Sequence, residues 1–260
     1  MEDLRQYNPE GSKLRKAQKR MLEILKVVDA ICQKHDIQYF LDGGSLIGAI
    51  RHGGFIPWDD DLDIAVMRDD FLKLREILQQ ELPPHLIYQD YTTEHDYPLQ
   101  IGKVRDTKSY FEEEFTHKLR YQGIYIDIIP MEKVPSMRWK AKLDYWYGHC
   151  FRAWHNYTDS KDKLLSAFVM PFAWMLVQCT RVLNRCSGSK QIAHVYGWKA
   201  YNGFSSEDVF PVRRMQFEDI EVSVPKNPDA VLKALFGDYM QIPPKEKRMT
   251  HTGRIEFYDE

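Results

Sequence analysis

Apolar residues follow two different periods along this chain, and the period changes several times before residue 134. Apolar positions three or four residues apart are typical of an amphipathic helix, whereas strict alternation is typical of a half-buried strand. Ser45 is the expected N-cap of the second helix, and Gly237 ends the last one. The predicted helices are 12–36, 45–52, 69–82 and 227–236, and the predicted strands are 37–41, 61–66, 99–106, 123–130 and 220–224. This order predicts a mixed α/β fold (an α+β mixed sheet) built largely before residue 130.

The pattern changes between about 135 and 200, where aromatic and apolar residues dominate and strand alternation disappears. The 17 residues of 164–180 carry no charge, which places them at the lower edge of the length of a membrane span. Pro171 and the closely flanking charges favour a buried, kinked helix over membrane contact. We therefore predict a core at 1–134, a helical, aromatic-rich insert at 135–200, and a segment at 201–260 that packs back on the core.

Composition narrows the class of protein. The 260 residues include 36 Lys and Arg against 38 Asp and Glu, a net charge of −2 that argues against a general nucleic-acid binder. Hydrophobic residues make up 43% of the chain, enough for a substantial core. The four cysteines form no CxxC pair, and the N-terminus has no apolar leader. We therefore expect a cytoplasmic protein with reduced thiols.

Three acidic residues point to metal chemistry. Asp61 and Asp63 are two apart in a predicted strand, so their carboxylates leave the same face. Asp127 interrupts the apolar strand 123–130, where an unpaired buried carboxylate would be costly. Hard oxygen ligands of this kind suit Mg²⁺ (or Mn²⁺) shared with substrate phosphates. Two interpretations of Asp59 are equally supported: it is a further metal ligand, or it lies in a solvated turn.

A glycine turn and several basic residues complete the candidate site. Gly43, Gly44 and Ser45 lie at a strand-to-helix turn, where backbone N–H groups can approach a phosphate. The remaining candidates for substrate contact are basic: Arg51 and His52 after the short helix, and Lys103 and Arg105, which alternate on one strand face. A surface salt bridge explains the last two equally well.

These segments resemble the LicD family, which includes the fukutin-related proteins, within the nucleotidyltransferase superfold. The resemblance is carried by GGSLIGAIRHGGFIPWDDDLDIAV (43–66), KVRDT (103–107), GIYIDIIP (123–130) and LFGDYMQIPPKEKRMTH (235–251). It implies a nucleotidyltransferase-like core in which Asp61, Asp63 and Asp127 bind metal and Gly44 with Ser45 forms the phosphate-side turn. The tail adds Arg248 and His251 as substrate-binding candidates.

The resemblance also implies an activity. Such proteins resemble enzymes that move a phospho-alcohol, for example phosphocholine, from a CDP-linked donor such as CDP-choline to a glycan or a lipid-linked glycan. Two alternatives stay open: nucleotidyl transfer from an NTP by the same acids, and a non-catalytic glycan-binding protein. Peripheral contact with the inner face of a membrane also stays open, because helix 12–36 and the 164–180 run are candidates for it.

Overall fold

The protein folds around one mixed β-sheet. A computed structural model describes residues 3–113, 119–155, 160–198, 202–248 and 253–258. The sheet runs in the order β1–β2–β6–β4–β3, and β7 and β8 extend it beyond the second half of β6. Only β2 and β6 pair in parallel; every other pair among the described strands is antiparallel. The strands of this sheet are β1 (Tyr39–Leu41), β2 (Asp63–Met67), β3 (Leu86–Gln89), β4 (Gly102–Asp106), β6 (Tyr125–Lys133), β7 (Gln191–His194) and β8 (Phe204–Ser205).

Two small antiparallel pairs lie outside the main sheet. The strand β9 (Arg213–Phe217) pairs with β10 (Ile220–Val224), and β5 (Ser109–Phe111) pairs with β11 (Ile255–Phe257). Arg214 of β9 holds the first pair to the N-terminal helix through the Asp29 carboxylate, with N···O distances of 2.5 and 3.0 Å. The C-terminal region therefore contacts elements from the beginning of the chain.

Helices cover the sheet, and their ends follow ordinary capping rules. The helix α1 starts after Ser12, whose hydroxyl accepts the Arg15 N–H, and it buries a stripe of apolar residues against the sheet. Gly53 ends α2 in the left-handed region, at φ 69°. The helices are α1 (Lys13–Lys34), α2 (Gly43–His52), α3 (Arg68–Glu81), α4 (Met137–Trp154), α5 (Ser160–Cys186), α6 (Ser206–Val209) and α7 (Pro228–Phe236).

The structure confirms a mixed α/β fold and corrects several local predictions. The N-cap of α2 is Asp42, not Ser45, because the helix already starts at Gly43. The strand predicted at 61–66 begins only at Asp63. Segment 191–194, inside the region expected to be helical, is the strand β7 of the main sheet. The strands β3, β5, β8, β9 and β11 also have no counterpart among the predicted elements.

The helices α4 and α5 form a hairpin inserted between β6 and β7. A small apolar cluster that includes Leu143, Tyr147 and Val177 joins the two helices to the sheet. The prediction that the 164–180 run is a buried helix is wrong. Only 17% of the most apolar window in Leu164–Cys186 is buried, and by length and composition this is the one helix in the described ranges that could cross a membrane.

Candidate active site

The predicted acids meet where β2 and β6 run side by side. Asp63 of β2 pairs in register with Asp127 of β6, and Asp127 pairs with Lys103 of β4. Three ionisable side chains thus lie in one row across adjacent strands. Asp63 and Asp127 lie side by side because β2 and β6 are parallel and begin at the same level of the sheet. At this level the Asp127 N–H donates to the Leu62 carbonyl over 2.8 Å.

Carboxylates crowd this end of the sheet. Burial raises the pKa of Asp63 well above its usual value, and the nearby Asp61 and Asp127 raise it further. Burial, followed by Asp61 and Asp60, likewise raises the pKa of Asp59. Asp61 precedes β2 rather than lying in it, so Asp61 and Asp63 do not share one strand face as expected. Instead, a loop brings Asp59 and Asp61 beside the strand.

Lys103 pairs with Asp127, and Lys103 and Arg105 both pair with Glu113. Lys103 Nζ lies 2.7 Å from Asp127 Oδ1 and 3.0 Å from a Glu113 oxygen, and Arg105 lies 2.6 Å from the same Glu113 carboxylate. Burial would raise the pKa of Glu113, but Lys103 and Arg105 outweigh it and lower that pKa to about 2. Both basic side chains are buried, and the structure engages them in internal ion pairs.

The start of α2 is built against the acids. Asp42 donates its N–H to the Asp63 carbonyl over 3.0 Å, and the Asp63 N–H donates to the Ser45 hydroxyl over 2.8 Å. A Cβ on Gly44 would lie 2.8 Å from an Asp59 carboxylate oxygen, and one on Gly43 would lie 3.4 Å from Asp63 Oδ2. The two glycines therefore give the carboxylates room at the positive end of the helix dipole, where negative charge is stabilised. Ser45 positions the strand rather than capping the helix.

Sequence reasoning missed a buried pair next to this turn. His194 Nε2 lies 2.6 Å from Asp42 Oδ2, and both side chains are almost fully buried. The other polar atoms of the pair, Asp42 Oδ1 and His194 Nδ1, have no hydrogen-bond partner among the described residues. Asp42 could have been noticed because it directly precedes the two glycines. His194 carried no signal, since it lies in a segment that the pattern assigned to helix.

Two of the remaining basic candidates, His52 and Arg248, lie against Trp58, one residue before Asp59. Arg51 donates to His52 Nε2 over 2.9 Å and to the Tyr239 carbonyl over 2.7 Å. Burial, with a smaller contribution from Arg51, lowers the pKa of His52 to about 4. The Arg248 guanidinium lies 5.1 Å from the centre of the Trp58 ring. His251 lies outside the described residues.

The donor atoms fit a divalent cation in their chemistry. In the described ranges, no three His, Cys, Asp or Glu side chains form a cluster that could hold an ion. The carboxylates nevertheless lie close enough to raise the pKa of Asp63 and of Asp59, and the two glycines leave space beside them. Several oxygen ligands that repel one another are a suitable starting set for Mg²⁺.

Several known proteins are similar to this sequence. The chain is 27% identical over 257 residues to the lipopolysaccharide cholinephosphotransferase LicD of Haemophilus influenzae, covering 92% of this chain and 95% of that protein. It is 31% identical over 135 residues to an uncharacterized protein of Rickettsia prowazekii, 52% of this chain and 46% of that protein. A match to the human ribitol 5-phosphate transferase FKRP is 42% identical over 48 residues, which are 18% of this chain and 10% of that protein.

The family model described as LicD/FKTN/FKRP, nucleotidyltransferase domain, matches residues 36–179. Because that match covers more than half of the chain, the protein belongs to the LicD family.

Proposed function

We propose that this protein is a metal-dependent transferase that moves a phospho-alcohol, such as phosphocholine, from a CDP-linked donor to a hydroxyl group of a glycan or lipid-linked glycan. The observation that carries the proposal is the register of Asp63 with Asp127 beside the glycine turn of α2. The near full-length similarity to a cholinephosphotransferase supports the phospho-alcohol as the transferred group. The core would then be nucleotidyltransferase-like, as the family description suggests.

Each side chain would have a distinct task. Asp61 and Asp63, with Asp127 and Asp59 beside them, would hold Mg²⁺ or Mn²⁺. When bound, such an ion screens the charge of the donor diphosphate and of the departing CMP. The first N–H groups of α2 have no acceptor within the helix, so Gly43 and Gly44 can present them to phosphate oxygens.

Asp127 is the proposed general base. The oxygen of the acceptor hydroxyl attacks the phosphorus of the phospho-alcohol, the bond from that phosphorus to the oxygen of CMP breaks, and the hydroxyl proton passes to the Asp127 carboxylate. Burial raises the pKa of Asp127 despite the opposing effect of Lys103, which makes this carboxylate a stronger base than an exposed one. Lys103 and Arg105 hold the base and Glu113 in place rather than binding the donor.

The experiment is a panel of CDP-alcohols and NTPs with Mg²⁺ and glycan acceptors, with the released nucleotide followed by chromatography. Release of CMP from one CDP-alcohol, abolished by EDTA and by Asp63→Asn, is expected. Asp69→Asn is the matched control, since Asp69 is exposed at the start of α3. Release of pyrophosphate from an NTP would instead mean nucleotidyl transfer, and no release from any donor would favour a non-catalytic glycan-binding protein.

A further inference from the structure

The long helix α5 turns its apolar side away from the protein. Large apolar side chains recur along it at a spacing of three, four or seven residues up to Val182, with Leu183 next to it, and are all more than half exposed; Phe168 is 72% and Phe172 is 69% exposed. Positions with this spacing lie on one face of a helix. We call this surface the α5 apolar face, made by Leu165, Phe168, Phe172, Met175, Val182 and Leu183.

The opposite side of α5, which packs into the protein, is the more polar one. Among the described residues of α5, three polar residues, Ser166, Thr180 and Asn184, are buried beside the apolar Val177. The Thr180 hydroxyl accepts the indole N–H of Trp139 over 3.3 Å, and Asn184 donates to the Lys133 carbonyl over 2.9 Å. A helix on the surface of a soluble domain normally has the reverse orientation, with its apolar stripe inward. An exposed contiguous apolar surface of this kind marks a binding surface.

Charge identifies the partner. The helices α4 and α5 each contain four Lys or Arg and one Asp, and the segment between them adds Asp159, so the hairpin sequence carries a net charge of +5 in a chain whose net charge is −2. Arg138 and Lys142 of α4 and Arg185 of α5 are exposed. This charge opposes pairing of the hairpin with a second copy of itself, and it favours a surface that is both apolar and anionic.

Exposed aromatic residues of the hairpin agree with a lipid surface. Trp146 is 63% exposed on α4 and Trp174 is 52% exposed on α5. The rings of Trp and Tyr have an apolar body and a polar edge, and they are enriched where a protein meets the boundary between lipid headgroups and acyl chains.

The contacts of α5 favour a position on such a surface over one across it. Leu164–Cys186 is long and apolar enough to span a bilayer, but Arg181 within it binds Glu132 of β6 through two bonds of 2.6 Å. Both side chains are largely buried, at 14% and 5% exposure. Crossing would break this ion pair and the bond of Asn184 to Lys133, leaving an isolated buried charge.

We infer that the α4–α5 hairpin docks the protein on an anionic lipid bilayer, with the α5 apolar face inserted at the level of the headgroups and the basic residues of α4 against the lipid phosphates. Docking of this kind combines apolar burial with attraction to anionic lipid, so it depends on lipid charge and on salt. The inference does not depend on the proposed reaction, because binding to vesicles needs neither donor nor acceptor.

The test is cosedimentation of the full chain with vesicles of phosphatidylcholine alone or with 30% phosphatidylglycerol. We expect binding to the anionic vesicles, at least tenfold weaker binding to neutral ones, and weakening in 0.5 M NaCl. The double variant Phe168→Glu/Phe172→Glu should bind at least tenfold more weakly, because each change removes an exposed apolar anchor and adds a repelled charge. Its melting temperature should match that of the wild type, since both side chains are exposed.

Phe236→Glu is the matched control, since Phe236 is half exposed on α7, outside the hairpin, and should leave vesicle binding unchanged. A second variant, Arg138→Glu/Lys142→Glu, tests the charge without touching the apolar face and should reduce binding to anionic vesicles only. Absence of binding to anionic vesicles would overturn the inference, as would equal binding by the Phe168/Phe172 variant. A wild-type dimer that this variant dissociates, with no vesicle binding, would overturn it in favour of self-association.

Discussion

Asp63 and Asp127 occupy directly opposed positions on the only parallel strand pair described in the sheet, although 63 residues separate them in the chain. Backbone pairing therefore brings the two carboxylates together in the absence of any ligand. Their mutual repulsion is visible in the raised pKa of Asp63, to which burial contributes most, then Asp61 and Asp127. The protein holds like charges together at a free-energy cost, which is typical of a binding site.

Asp63→Asn should separate stability from activity. The neutral amide removes one of several repelling carboxylates, so the metal-free variant should be more stable than the wild type. Its melting temperature should rise by a few degrees, since each kcal/mol of added stability raises it by roughly 2–4 °C in a protein of this size. Phospho-alcohol transfer should fall by about 100-fold or more, since an amide is a weaker cation ligand than a carboxylate. Calorimetry in EDTA and release of CMP measure the two effects; a variant with wild-type turnover would contradict the site.

Gly44→Ala tests the space beside Asp59. Alanine is favoured over glycine inside a helix by about 1 kcal/mol, but the added Cβ would lie 2.8 Å from an Asp59 oxygen. We expect near wild-type unfolding by urea and at least tenfold weaker activation by Mg²⁺.

Gly48→Ala is the contrasting change in the same helix. Its Cβ would clash with the Gly54 carbonyl oxygen, which belongs to the backbone and cannot move aside as a side chain can. This variant should lose stability, and any loss of activity should follow the loss of folded protein. Equal activation by Mg²⁺ in Gly44→Ala and the wild type would show that Asp59 does not need this space.

Arg181→Ala should loosen the hairpin from the sheet. It leaves Glu132, 5% exposed, without its partner, and breaking a buried ion pair costs about 3–5 kcal/mol. Urea unfolding should show this loss, and the double variant Glu132→Gln/Arg181→Met should recover much of it because neither residue of the pair keeps its charge. A loss below about 1 kcal/mol in the single variant would mean that Glu132 finds water or another partner.

His52 should contribute a pH dependence to folding. Burial and Arg51 lower its pKa to about 4 in the folded protein, against about 6.5 in the unfolded chain. The unfolded state therefore takes up a proton first, so this contribution to stability is constant above pH 6.5 and decreases as the pH falls toward 4. Between pH 7.5 and 5 the wild type should lose more stability to urea than His52→Asn; parallel losses would contradict the shifted pKa.

The strongest sequence signals were local. The alternation of Ile64 and Val66 with more polar neighbours, and the glycines after a short apolar run, predicted β2 and the turn into α2, because backbone geometry and nearby residues decide them. The family resemblance was confirmed, and three of the four segments that carry it lie inside the matched residues 36–179.

Features that depend on residues far apart in the chain could not be predicted from the sequence. His194 reaches Asp42 across 152 residues, and Glu113, which engages Lys103 and Arg105, follows β5, a strand that the pattern did not predict. The apolar run of α5 predicted a helix correctly, but composition could not tell which side another element would cover. The strand β9 was missed because most of its residues are exposed and lack alternation.

The insertion point of the α4–α5 hairpin links lipid contact to chemistry. The strand that enters the hairpin, β6, carries Asp127, and the strand that leaves it, β7, carries His194. A hairpin lying flat on a bilayer would thus fix the direction in which this edge of the sheet faces the lipid. An acceptor anchored in the same leaflet would diffuse in two dimensions past an enzyme of constant orientation, so that its search for the carboxylates is confined to a plane.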